Sequence, residues 1–306
     1  MRRQLIAVLL CLIVGCAAVC AYLLMAPHLK PVKVGTFFYV WYDPDSPVSW
    51  EYPKIVDTPV LGKYNSCDTK LIRDQLGQMM DLNIDFVVIS WREIQNDGGL
   101  VDRAAKQVFE TASRDDEIDL KFALMIEPLN STAGNYTGIY NYVFDEFVSP
   151  YASIYCNDGK PLLCFFNDVS ITDEAVPFDD RFETVLVGQQ ENVQWVYTDL
   201  NCYVEPKRVP YSNQISVSPR YDDSRYRTPS CVVDGNLTEG VYDQEWQKAI
   251  DLYKEGKIDT IMITSWNEYV ERTAIEPHED YTANIPDDYL YSQTRNYINQ
   301  LRQLTK

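Results

Sequence analysis

I-M-I-T-S-W-N-E-Y-V-E-R-T-A-I-E-P, residues 261–277, begins as an uninterrupted apolar run and ends among acids. The run from Thr260 to Thr264 reads as a strand buried on both faces, of the kind found in parallel sheets covered on both sides. Such a strand delivers Asn267, Glu268 and Glu271 just past its end, where barrels and open α/β sheets place reactive side chains. Two carboxylates three residues apart can converge on one small volume, where proximity separates their pKa values and leaves one protonated beside an ionised neighbour. That division suits general acid/base work. Solvated acids following a strand are the plainer alternative in a chain this acidic.

Working outward, apolar stretches alternate with amphipathic ones. Strands are expected at Val34–Val40, Phe86–Ser90, Lys121–Ile126, Pro161–Phe166, Thr184–Val187, Gln194–Tyr197 and Ile215–Ser218, besides the one at 260–264. Helices are expected from Thr69, at Leu100–Ser113, around Ile139–Phe147, at Tyr242–Lys254 and at Leu290–Leu304. Only about six residues separate the fifth and sixth strands, and a helical crossover needs a dozen or more, so either one helix is missing or one strand is misread. Eight strands in a domain of this length predict a (β/α)8 barrel with one irregular unit, with a doubly wound open sheet as the alternative.

The barrel is assigned to residues 31–306 and a membrane segment to 1–30. Arg2 and Arg3 precede an apolar run from Leu5 to Ala26, long enough to span a bilayer as a helix. Charge on the short N-terminal side predicts a single-pass anchor, lipid-embedded through residues 5–26, with the C-terminal domain extracytoplasmic. A cleaved signal peptide is the competing reading, and a lipobox-like stretch at Ile13–Cys16 is a minor third. Of the eight cysteines, Cys67, Cys156, Cys164, Cys202 and Cys231 fall outside that segment; Cys202 with Cys231 is the expected pair if any forms.

A net charge of −18 argues against nucleic acid and anionic membrane surfaces as partners and suits a neutral substrate. The aromatic residues, among them Trp41, Trp91 and Trp266, offer faces for sugar rings, with core packing as the plain alternative. Histidine occurs twice, at His28 and His278, so a histidine metal cluster or a Ser-His-Asp triad lacks material. Carboxylates are the instruments left, and no metal or organic cofactor is expected. Glu127 after the third strand is another acid at a strand exit. Asp68 before the first helix is a natural N-cap as well as a site candidate.

In order along the chain, F-F-Y-V-W-Y-D at 37–43, G-K-Y-N-S-C-D at 62–68, V-V-I-S-W at 87–91, I-E-P at 126–128, S-V-S-P-R-Y-D-D at 216–223 and I-T-S-W-N-E-Y-V-E-R-T-A-I-E at 263–276 resemble glycoside hydrolase family 99, the endo-α-mannosidase and endo-α-mannanase group. The resemblance covers roughly residues 35–300. It implies a TIM-barrel enzyme that cleaves internal α-mannosidic bonds with retention, assisted by the substrate's own 2-hydroxyl. Glu268 would deprotonate that hydroxyl, which attacks the anomeric carbon to give a 1,2-anhydro sugar. Glu271 would protonate the leaving oxygen and then activate water. Tyr39, Trp41, Tyr64, Asp68, Trp91, Glu127, Tyr221, Trp266 and Asn267 would line the substrate site, with Trp266 and Tyr269 as apolar walls raising the pKa of Glu271. The family's His and Gly are Val270 and Arg272 here, and its Ser-Arg-Asp is Ser66-Cys67-Asp68. Arg272 is expected to add bulk and positive charge beside the acid. An α-1,3-glucanase-like hydrolase, a non-catalytic glycan-binding barrel and a structural protein of the cell envelope are the alternatives.

Overall fold

The computed structural model describes residues 29–46, 49–50, 55–92, 99–128, 135–166, 178–188, 193–198, 200 and 213–304. The expected membrane segment at 5–26 lies outside them, and among the described residues no helix is long and apolar enough to cross a membrane. The chain divides between Lys30 and Pro31, and the unit described below is Pro31–Lys306.

Eight parallel strands form one sheet: β1 (Lys33–Tyr39), β2 (Phe86–Trp91), β3 (Lys121–Ile126), β4 (Leu162–Phe166), β5 (Glu183–Gly188), β6 (Trp195–Val196), β7 (Gln214–Val217) and β8 (Thr260–Ile263). Their ladder order is β6-β5-β4-β3-β2-β1-β8-β7, the order of a barrel opened between β6 and β7. That seam is closed by side chains: Ser216 Oγ donates to the Val196 carbonyl, and Thr198 Oγ1 meets Ser218 Oγ (3.0 Å). Gln214 on β7 accepts from the Val196 backbone N–H (2.7 Å) and donates to the Val196 carbonyl (3.1 Å), reproducing with its amide the pair of bonds a ladder would make.

Both short strands of the irregular unit are real. β5 and β6 pair in parallel, Val187 with Trp195 and Gly188 with Val196, so the link between them spans only six residues, 189–194. That is shorter than a helical crossover needs; residues 189–192 lie outside the described set.

The helices are α1 (Thr69–Asp81), α2 (Leu100–Ser113), α3 (Tyr136–Val143), which runs into a π-turn at Phe144–Val148, α4 (Val241–Lys254) and α5 (Tyr289–Leu304). Each turns its apolar stripe inward: Leu71, Ile72, Leu76 and Met79 on α1, and Val101, Ala104, Ala105, Val108 and Phe109 on α2, are buried.

Strand alternation sorts the barrel's side chains. Phe37 and Tyr39, Phe86 and Val88, Ala123 and Met125, Cys164, Val185 and Val187, Trp195 and Met262 meet in one interior cluster. Gly35 belongs to this face because a Cβ there would lie 2.5 Å from the Phe86 ring and 2.7 Å from the Met262 sulfur. The same parity carries Trp41, Ser90, Arg92 and Glu127 toward the barrel's C-terminal mouth and turns Trp91 the other way.

Candidate active site

The loop after β8 is folded by its own polar residues. Ser265 Oγ accepts from the Glu268 N–H (2.7 Å) and meets Thr273 Oγ1 (2.8 Å), while the Thr273 N–H returns to the Glu268 carbonyl (3.1 Å). Asn267 pins the loop to the end of β1: its Oδ1 accepts from the Tyr39 N–H (2.8 Å) and its Nδ2 donates to the Tyr39 carbonyl (2.8 Å). Below it Glu276, wholly buried, accepts from Tyr64 Oη (2.8 Å), Tyr269 Oη (2.8 Å) and Gln75 Nε2 (2.7 Å). Asn267 and Tyr64, expected to touch substrate, are therefore committed to holding the loop.

On this support the Glu268 and Glu271 carboxylates are close enough to bear on one another and on Tyr39. Glu268 is 3% exposed, and its Oε1 accepts from the Val270 N–H (2.8 Å). Burial pushes its pKa well up, and the Glu271 and Glu127 carboxylates push it further. Glu271 is raised by burial too, but Arg227, Tyr221 and Tyr226 pull it back. Tyr221 Oη donates to its Oε1 at 2.9 Å and Tyr226 Oη at 3.1 Å; an Arg227 nitrogen lies 3.5 Å from the same oxygen. Tyr197 Oη is 3.5 Å from Oε2 and 2.6 Å from Tyr39 Oη. Both carboxyls are thus raised by burial, and phenol and guanidinium donors oppose the rise at Glu271.

Glu127 forms a third acidic wall. Ser90 Oγ donates to its Oε1 (2.7 Å); burial raises its pKa, and Ser90 and Arg92 oppose the rise. The Arg92 guanidinium lies over the Trp41 ring (4.8 Å), and Trp41 packs beside Tyr39 (4.7 Å between ring centres). Tyr39, Trp41, Glu127, Tyr221, Glu268 and Glu271 are the expected site residues that the fold brings together.

Four residues expected at the site stand elsewhere. Trp91 has the outward parity, donates Nε1 to Asp102 on α2 (3.1 Å) and packs near Tyr142. Trp266 is fully buried against Tyr291 of α5, so it neither meets a sugar nor walls Glu271. Tyr269 likewise turns away, toward Glu276, Trp50 and Tyr42. Exposed Asp68 caps α1, its Oδ1 accepting from the Lys70 N–H (2.8 Å) and the Leu71 N–H (3.1 Å).

Arg272 does not crowd the acid. At φ +55° its side chain swings away into a buried ion cluster, with Nε and Nη2 donating to both Asp57 oxygens (2.8 and 3.0 Å) and further contacts to Asp222 and Asp280. Arg220 completes the cluster on Asp57 and Asp280. Asp57, His278 and Asp280 bring donor atoms within 4.8 Å of one another, but guanidinium groups already pair with both aspartates. The cation beside Glu271 is Arg227, which together with Tyr197 and Tyr226 was missed from sequence. Their only signal is position, shortly after strands β6 and β7. Cys231 is disulfide-bonded, Cys67, Cys156 and Cys164 are free, and Cys202 lies outside the described residues.

Fold and site together define a (β/α)8 barrel with an acid cluster at the C-terminal mouth, the face where such barrels carry their chemistry. No family model matches the chain, and no curated protein matches it by sequence. Among solved structures, the GH99 endo-α-mannosidase of Bacteroides thetaiotaomicron in complex with bis-tris-propane superposes with a TM-score of 0.66 at 19% identity, over 89% of this chain and 97% of that one. A second structure of a GH99 endo-α-mannosidase from that organism gives 0.65 at 17% identity, over 88% and 97%. A glycoside hydrolase-like protein gives 0.59 at 14% identity, over 89% and 95%. At such identities the likeness establishes the barrel fold.

Proposed function

We propose that this chain is a glycoside hydrolase that cleaves internal α-mannosidic bonds with retention, and that residues 5–26 anchor it in a bilayer with the barrel outside the cytoplasm. The observation that supports the proposal is that Glu268 and Glu271 bear on one another while differing in their hydrogen-bond partners. The sequence motif around them and the barrel shared with GH99 endo-α-mannosidases supply the substrate class.

The chemistry starts from a monoprotonated pair. A bound sugar's 2-hydroxyl donates to Glu268 and adds a further anion-stabilising bond to the one from the Val270 N–H. As Glu268 becomes the anion, its charge raises Glu271, and the proton is better held there. Glu268 then takes the 2-hydroxyl proton as that oxygen closes on the anomeric carbon, while Glu271 gives its proton to the departing oxygen. Water opens the anhydro sugar in the reverse sense, deprotonated by Glu271, and the 2-oxygen recovers its proton from Glu268. This is the substrate-assisted variant of two-carboxylate glycoside hydrolysis.

The test incubates the whole chain with α-mannan, Man-α-1,3- and Glc-α-1,3-Man-α-1,2-linked oligosaccharides and an α-1,3-glucan control, following products by NMR. Shorter mannosides released first as the α-anomer are expected. Glu268→Gln and Glu271→Gln should each lower turnover by roughly 10²–10⁴-fold. First release of the β-anomer would rule out 2-hydroxyl participation, and equal glycan binding by all three proteins without cleavage would make the barrel a recognition module. Alkaline carbonate extraction of membranes tests the anchor: release of the protein into the wash would refute it.

A further inference from the structure

Glu271 presents two unlike oxygens. Oε1 already accepts hydrogens from Tyr221 and Tyr226, at 2.9 and 3.1 Å, beside Arg227. A proton placed on Oε1 would meet two hydroxyl hydrogens. Oε2 instead faces Tyr197 Oη at 3.5 Å, a long contact of the kind that tightens when substrate closes the site. The acid's proton therefore belongs on Oε2.

A buried Oε2–H needs an acceptor, and a buried Oε2 anion needs a donor. Tyr197 can be either, because a phenol both donates and accepts, but only if its own hydrogen has somewhere else to go. Tyr39 Oη, 2.6 Å away, is that place. We propose that Tyr39 and Tyr197 form a two-phenol relay that reverses direction each time Glu271 gains or loses its proton. With Glu271 ionised, Tyr39 donates to Tyr197 and Tyr197 to Oε2. With Glu271 protonated, Oε2–H donates to Tyr197, Tyr197 donates to Tyr39, and the Tyr39 hydrogen turns toward the Glu127 and Glu268 carboxylates beside it. The phenols keep their own protons and only rotate their O–H bonds; the catalytic proton passes from Oε2 to the leaving oxygen and is restored from water. Both are positioning residues, and the inference rests on the acid role proposed above for Glu271.

Other groups bear on Glu271 from every side: Glu268 on its own loop, Glu127 after β3, and Asp223, Arg227, Tyr221 and Tyr226 after β7. None of these changes when Tyr39 or Tyr197 is replaced, so differences between those variants report the phenols.

The test is a pH titration of the whole chain labelled with ¹³C at glutamate carboxyls, with the Glu271 resonance identified by its loss in Glu271→Gln. Tyr197→Phe removes the donor to the carboxylate, so the Glu271 pKa should rise by about half a unit or more. Tyr39→Phe should lower it by a similar amount. It strands the Tyr197 hydrogen when Glu271 is protonated, and an orphaned donor costs more than an under-used acceptor. The double variant should match Tyr197→Phe, because the relay is serial. If Tyr39→Phe unfolds, 3-fluorotyrosine at position 39, a better donor and poorer acceptor, should give the same downward shift. Shifts of the same sign in the two single variants, or no shift in either, would overturn the relay. The titration does not depend on turnover, so a chain that cleaves no mannoside would sink the proposed function while leaving the relay open to this measurement.

Discussion

Glu268 shows at residue scale how a reactive group weakens its host. Its pKa is raised by burial and by two neighbouring carboxylates, so the folded protein holds a proton there at pH values where the unfolded chain has lost it. Between the unfolded value of about 4.3 and the raised folded value, stability falls as pH rises. Glutamine in its place carries no charge to desolvate. Glu268→Gln is therefore expected to have a higher Tm than wild type at pH 7–8 and an equal Tm near pH 4, while losing activity. Calorimetry at the two pH values checks this, and a variant less stable than wild type at both would show that the carboxylate is a structural anchor. Arg227 acts in the opposite sense on the neighbour: Arg227→Gln removes the charge that opposes burial at Glu271. The Glu271 pKa should rise, and with it the alkaline limb of kcat/KM. An unmoved limb would mean that Glu271 does not supply the leaving-group proton.

At the scale of elements, the seam between β6 and β7 is held by side chains, chiefly the Gln214 amide with Ser216 Oγ and the Thr198–Ser218 pair. Gln214→Leu keeps the volume but takes from the buried Val196 N–H its Gln214 acceptor, at a cost of about 1–3 kcal/mol for a buried group left unmade, while the Val196 carbonyl keeps Ser216 Oγ. A Tm drop of several degrees with first hydrogen exchange at 195–197 is expected; unchanged exchange there would mean the strand is held by its β5 ladder alone. The strands were legible because each is an unbroken apolar run, and the helices because their apolar residues recur at helical spacing. The acids were legible because they follow such a run directly. Direction was harder. Trp91 and Ser90 are adjacent, and only the register of β2 decides that Ser90 reaches Glu127 while the indole turns to Asp102. Tyr226 and Arg227 lie in an irregular loop after β7, where no periodicity says which side chain returns to the pocket. Arg272 misled for a related reason: beside Glu271 in sequence, it is turned away by its left-handed φ, which favours glycine. Asp57, distant in sequence, holds it there.

Across the whole molecule, two sets of carboxylates pull stability in opposite directions with pH. Glu127, Glu268, Glu271 and Glu276 are raised, chiefly by burial, so each stabilises the fold as pH falls toward the ordinary carboxylate range. Asp222 and Asp280 are held below their usual value by hydrogen bonds and by the arginines of the ion cluster, Arg272 at Asp222 and Arg220 at Asp280, against the effect of burial. Their stabilisation is complete above the unfolded aspartate value of about 3.9 and is lost only as pH falls through the lower folded values. Mild acid therefore protonates the groups that destabilise the fold and leaves the cluster intact. It also reduces the self-repulsion of a chain with a net charge of −18. The Tm is expected to peak near pH 5, to fall toward pH 8, and to fall again below about pH 3 as Asp222 and Asp280 take up protons. Added salt should shrink the part of the alkaline decline that comes from exposed charge, and leave the part set in the buried pocket, which screening reaches poorly. Glu268→Gln should remove part of that salt-resistant remainder. If instead Tm rises steadily from pH 5 to pH 8, the buried site carboxylates are ionised in the folded state at no cost, and the protonation scheme proposed for the pair cannot hold.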